Sequence, residues 1–188
     1  MTSPRVLLLP GWQNSDTDHW QSRWERRYGY ERVQQHEWLR PLRGDWSARL
    51  QDTVVDSVQP VVLVAHSLGC ILTAWWAAHS PLAQTRVCGA LLVAPADVEQ
   101  ENLRTVLPGW APVMLQRLPF PSVVVASSDD PYCSLVRAQT WAQAWGSTWN
   151  TLGPVGHINT DSGLGDWDEG HALLQQLMKD KSHGDQKT

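Results

Sequence analysis

Residues Val61–Cys70 read "VVLVAHSLGC". An apolar run, apolar on both alternating faces, ends at Ala65; a lone hydroxyl follows at Ser67; and "GCILTAWWAAHS", a helix-forming run, starts at Gly69. A strand buried on both faces is what the middle of a parallel sheet requires. A sharp turn from such a strand into a helix holds a serine in a strained backbone conformation, with its hydroxyl presented to solvent. The residues two before and two after the serine then lie close together and must be small. Here they are Ala65 and Gly69. Ala65 stands where glycine is usual, a departure of one methyl. About 0.1 such matches arise by chance in a chain of this length, so the flanking strand and helix carry more weight than the pattern alone. The alternative for Ser67 is a helix-capping serine; the context favours a nucleophile, with the helix N-terminus favouring negative charge beside it.

Outward from this point, strand-like and helix-like runs alternate. "RVLLLP" from Arg5 reads as a buried strand. "DHWQSRWERRYG" reads as a helix with Trp20 and Trp24 on one face and Gly29 as its stop. A weak strand is expected near Val33. "GDWSARLQDTVVDSV" reads as a helix capped by Asp45, with Trp46, Leu50, Val54 and Val58 on one stripe. After the serine helix, which stops before Pro81, "VCGALLVAP" and "PSVVVASS" read as strands. "SLVRAQTWAQAWG" reads as a helix from Ser134 to Gly146, "STWNTL" as a weak last strand and "DEGHALLQQLMK" as a terminal helix. "DVEQENLRTVLPGWAPVMLQRLP" breaks the alternation and predicts a short helix plus an irregular excursion, too short for a separate lid domain. The pattern predicts an α/β fold, an open and mostly parallel sheet with helices on both faces, whose chemistry collects at the carboxyl ends of the strands. One domain over residues 1–179 is expected, with a disordered polar tail over 180–188.

A serine hydroxyl needs a base to take its proton, and the base needs an acid to orient it. The chain order Ser, Asp, His selects His157, in the glycine-rich loop "GPVGHIN" after the last strand. His36 precedes the serine, His66 lies inside the turn, and His19, His79, His171 and His183 lie in or beside helices or in the tail. The acid comes from "ASSDDPYC". Asp130 is favoured because Pro131 holds it extended; Asp129 is expected to cap or to face water. Two backbone N–H donors are needed for a developing oxyanion. Leu68, directly after the serine, supplies one; Trp12 in "LPGWQNS" supplies the other, with Gly11 allowing close approach. The side chains of Trp12 and, from "LPGWAP", Trp110 are expected to line the acyl pocket.

Composition narrows the alternatives. The 188 residues are 42% hydrophobic and 18% charged with a net charge of -4, and no basic cluster suggests nucleic acid or an anionic membrane surface. No run approaches the roughly 20 apolar residues of a membrane span. "MTSPRVLLLP" is too short in its apolar part for a signal peptide. Three scattered cysteines, Cys70, Cys88 and Cys133, read as reduced thiols of a cytoplasmic protein. No helical histidine pair suggests a metal, and no glycine-rich turn after the first strand suggests a dinucleotide. No metal or organic cofactor is therefore expected; a small-molecule acyl substrate is, and a protein partner is left open.

"LPGWQNSDTDHWQSRWE", "VVLVAHSLGC", "SSDDPYCS" and "GHINTDSGLGDWDEG" together resemble the small, lidless α/β-hydrolases of the family that includes retinoblastoma-binding protein 9. The likeness spans roughly Arg5 to Lys179. It implies a serine hydrolase with esterase activity on small acyl substrates, and it implies Ser67, Asp130 and His157 as catalytic residues, the acid directly preceding the proline. Asp168 departs from the resemblance, standing where proline is expected. So does Cys70, which lacks an L-x-C-x-E context, so no pocket-protein binding is implied. The rival from another class is a non-catalytic protein of the same fold that binds a partner or small ligand.

Overall fold

The computed structural model describes residues 3–184. Six strands form one sheet: β1 (Arg5–Leu9), β2 (Glu31–Arg32), β3 (Val61–His66), β4 (Val87–Val93), β5 (Ser122–Ser127) and β6 (Thr148–Leu152). Their order across the sheet is β2-β1-β3-β4-β5-β6, and every pair is parallel. Between them run α1 (Trp20–Tyr28), α2 (Arg43–Val55), α3 (Leu68–His79), α4 (Leu82–Arg86), α5 (Glu101–Val106) and α6 (Leu135–Trp145), and α7 (Asp168–Gly184) follows β6. Parallel neighbours require crossovers, which is why almost every strand is followed by a helix.

Side chains alternate across each strand, and the core divides accordingly. Leu7, Leu9, Leu63, Ala65, Ala90 and Leu92 face one side, packed with Trp46, Leu50 and Val54 of α2 and Trp141 and Trp145 of α6. Val6, Leu8, Val62, Val64, Leu91 and Val93 face the other, packed with Trp20 and Trp24 of α1 and Leu174 of α7. The tryptophans are therefore mostly packing residues. Their indole N–H groups find buried carbonyls, as interiors demand: Trp46 donates to Glu37 O and Trp145 to Met114 O.

Helix ends follow local chemistry. Gly29 and Gly146 close α1 and α6 in the left-handed conformation (φ 68° and 70°), and the Ser134 hydroxyl accepts from Arg137 N–H at the start of α6. Four boundaries differ from the sequence reading. Asp45 does not cap α2: extended backbone at Leu42 lets the helix start at Arg43, leaving Asp45 in the first turn. Val58 leaves the apolar stripe, because α2 ends at Val55 and Val58 is 98% exposed in the following turn. The strand expected near Val33 is β2, and Val33 extends its pairing through one bond to Leu8 O. The last helix continues past Lys179 to Gly184; the remainder of the expected tail lies outside the described residues.

Candidate active site

The carboxyl ends of β1, β3, β5 and β6 converge on Ser67. This residue opens α3 from φ 56°, ψ -119°, a region that non-glycine residues rarely occupy. Close packing explains why the turn tolerates nothing bulky. A Cβ on Gly69 would lie 2.2 Å from Leu9 O, and one on Gly11 would lie 2.7 Å from Ser67 Cβ. Ala65, by contrast, is fully buried and its methyl is accommodated in the core.

A serine at an N-cap ordinarily turns its hydroxyl onto the helix's own N–H groups. Ser67 makes no such bond; its Oγ lies 2.8 Å from Nε2 of His157. His157 Nδ1 lies 2.9 Å from both carboxylate oxygens of Asp130. A carboxylate only accepts, so Nδ1 carries a proton; in the neutral imidazole Nε2 is then bare, and the serine hydroxyl donates to it. Tyr132 N–H also donates to Asp130 Oδ1 at 2.9 Å, and the Tyr132 ring stands edge-on to His157 at 4.6 Å. The Asp130 side chain is 3% exposed.

Asp129 turns away from the imidazole but not simply to water. Its Oδ1 accepts from Gly156 N–H at 2.7 Å and from the Ser127 hydroxyl at 2.8 Å, and these bonds hold its carboxyl below the usual carboxylate range. Ser127 Oγ accepts from Val155 N–H at 3.1 Å. The loop carrying His157 is thus tied to the end of β5. The sequence reading missed this contact.

Leu68 N–H is in the first turn of α3, where no intrahelical acceptor exists. Trp12 N–H has no backbone acceptor among the described residues. Gly11 lies against Ser67, which brings the loop that carries Trp12 beside the serine. A cavity of about 500 Å³ opens over it. Trp12, Leu68, Ala96, Leu103 and Leu107 form its apolar wall; Asn14, Asp16, His19 and Asn159 contribute a polar one. Trp12 lines the cavity and anchors its indole N–H on Leu39 O at 2.9 Å. Trp110 does not line it. Its ring is fully buried, its N–H donates to Pro41 O at 2.9 Å, and it packs edge-on against Trp46. A buried indole needs an acceptor, and that acceptor draws Trp110 under the excursion after β4. Leu103 and Leu107, one helical turn apart in that excursion, line the cavity instead; their spacing was the available signal.

Two more histidines sit beside the site. Burial pushes the His19 imidazole down to about 4. His66 is held well below the usual imidazole range, first by burial and then by the neighbouring His19 and His157. Both are neutral at pH 7. Among the described residues, no group of three or more His, Cys, Asp or Glu is arranged to hold a metal ion. No described helix is long and apolar enough to cross a membrane.

A parallel six-stranded sheet with a strained serine at a strand-to-helix turn defines the α/β-hydrolase class. Within it the chain belongs to the serine hydrolase family, whose sequence model matches residues 6–176. A YdeN-like protein from Pectobacterium atrosepticum is 32% identical, with 94% of this chain and 91% of that chain covered and a TM-score of 0.83. The ydeN gene product of Bacillus subtilis is 21% identical, covering 94% and 99%, with a TM-score of 0.78. Est1E from Butyrivibrio proteoclasticus, with ferulic acid bound, shares the fold at 10% identity, 96% and 88% coverage and a TM-score of 0.66. A search of curated proteins found no significant match.

Proposed function

We propose that the protein hydrolyses small carboxylic esters through an acyl-enzyme on Ser67, with His157 as base and Asp130 as the acid that orients it. The observation that carries this reading is the continuous hydrogen-bonded line from Asp130 through His157 to the Ser67 hydroxyl. As Oγ attacks the acyl carbonyl, its proton passes to Nε2, and the carboxylate stabilises the imidazolium that forms. The carbonyl oxygen becomes an oxyanion and accepts from the N–H groups of Leu68 and Trp12. Collapse of the tetrahedral species breaks the bond to the leaving alcohol, which takes the proton from Nε2. Water, deprotonated by the same nitrogen, then releases the acid and restores Ser67.

The cavity supports short acyl groups. Its apolar wall of Trp12, Leu68, Ala96, Leu103 and Leu107 is small, and each methylene left in water forgoes about 0.8 kcal/mol. With no disulfide among its described cysteines, the chain suits a reducing compartment such as the cytoplasm.

The test is labelling with a fluorophosphonate, followed by peptide mass spectrometry and a p-nitrophenyl ester series from acetyl to dodecanoyl. Ser67 alone is labelled in the expected outcome, Ser67→Ala is folded and unlabelled, and kcat/KM is highest for short chains. Folded protein without label would favour the binding-protein alternative. A steady rise toward dodecanoyl would overturn the short-acyl assignment.

A further inference from the structure

The residue just before the serine is a histidine, and the chemistry above does not use it. His66 is the last residue of β3, and its ring is buried on the α1 side of the sheet. Its Nε2 lies 2.9 Å from the main-chain carbonyl oxygen of His157. A carbonyl can only accept, so His66 is the Nε2–H tautomer and donates. The next carbonyl in the chain, that of Ile158, accepts from Trp20 Nε1–H at 2.8 Å. Two buried aromatic donors therefore hold two consecutive carbonyls of the loop that carries the base.

The loop needs holding. Ile158 is a β-branched residue at φ 49°, fully buried; a β-branched side chain at positive φ is strained and persists only where its surroundings over-determine it. Ser127 and Asp129 fix the N–H groups of Val155 and Gly156 from the β5 side. His66 and Trp20 fix the carbonyls of His157 and Ile158 from the β3 and α1 side. His66 itself is wedged in place: its ring lies 4.7 Å edge-on from His19 and 4.9 Å from the His157 ring.

We propose that His66 is a positioning residue: its Nε2–H, donated to the His157 carbonyl, sets the place of the His157 imidazole relative to Ser67. The strand that delivers the nucleophile thereby also sets the base, so Ser67 and the backbone of His157 move as one body. This assignment rests on the hydrolase reading above, in which His157 is the base.

Two substitutions separate positioning from packing. His66→Leu fills the volume without a donor; His66→Gln puts an amide N–H donor at similar reach. Each is assayed for kcat and KM on p-nitrophenyl acetate, with thermal melts to correct for folded fraction. In His66→Leu, kcat falls by about 10²-fold, the scale of a base misplaced by an ångström, while KM changes little; His66→Gln recovers most of the loss. Equal kcat in the two variants after correction, or a His66→Leu kcat within about twofold of wild type, overturns the proposal while leaving the hydrolase reading intact. A wild type inert to both ester and fluorophosphonate overturns the hydrolase reading and this one with it. Nitrogen-15 NMR of the wild type gives a second test that needs no substitution. At neutral pH the ring is uncharged and protonated at Nε2; an Nδ1–H tautomer overturns the proposal.

Discussion

One peptide bond separates Asp129 from Asp130, yet their carboxylates end on different atoms. Asp130 meets the imidazole N–H; Asp129 meets a backbone N–H one residue before that imidazole. Asp130→Asn replaces an acceptor-only group with an amide and removes the preference for the Nδ1–H tautomer. Its kcat falls by up to about 10⁴-fold, the scale measured when an orienting aspartate is amidated in a serine protease. Asp129→Asn keeps an oxygen able to accept from Gly156 and Ser127, so kcat stays within about tenfold; Asp129→Ala loses both bonds and falls further. Steady-state kcat on one activated ester at neutral pH decides it, and a crippled Asp129→Asn beside a near-normal Asp130→Asn would reverse the assignment. In sequence the choice of Asp130 rested on Pro131, which restricts the residue before it, and on the family resemblance. The role of Asp129 was not: its partner lies 27 residues away, and no local rule anticipates which loop a carboxylate will tie down.

At the scale of elements, the turn from β3 into α3 was the most legible part of the chain, because its demands are local: a buried strand, small residues around the serine, a helix after it. Gly69 shows how strict those demands are. The Leu9 carbonyl that a Cβ would strike belongs to β1, which is paired with β2 on one edge and β3 on the other and cannot retreat. Gly69→Ala is expected to cost about 3 kcal/mol, the upper end of ordinary overpacking. Urea denaturation reads this directly, and a change below about 0.5 kcal/mol would mean that the turn relaxes. The excursion after β4 was the least legible element. Periodicity marked its helix, but whether Trp110 or Leu103 and Leu107 would face the cavity depended on where a buried indole found its acceptor, at Pro41, 69 residues away.

For the whole molecule, the neutral histidines under the site make stability depend on pH. His19 titrates near 6.5 when unfolded and at about 4 when folded. As pH falls through this window the unfolded chain binds a proton that the folded chain refuses, so stability is lost on acidification, by about 3 kcal/mol from His19. His66 shifts in the same direction and adds to the loss. Denaturation at pH 8, 6 and 4.5 measures it. His19→Asn keeps a side-chain acceptor for Gln21 N–H at the α1 cap and removes the titration, so its profile is flatter. Equal profiles for the variant and the wild type would show that His19 contributes nothing to the acid response. The sheet order has a consequence of another kind. Ser67 and His157 are 90 residues apart, and the proposed chemistry needs both. Synthesis delivers the nucleophile first, then the acid, then the base. On that chemistry, a nascent chain halted anywhere before residue 157 carries a serine without its base, and stays inert however well its strands have paired. On the proposed mechanism, hydrolytic competence arrives only with the loop after β6, so the onset of activity would report that the last strand has docked.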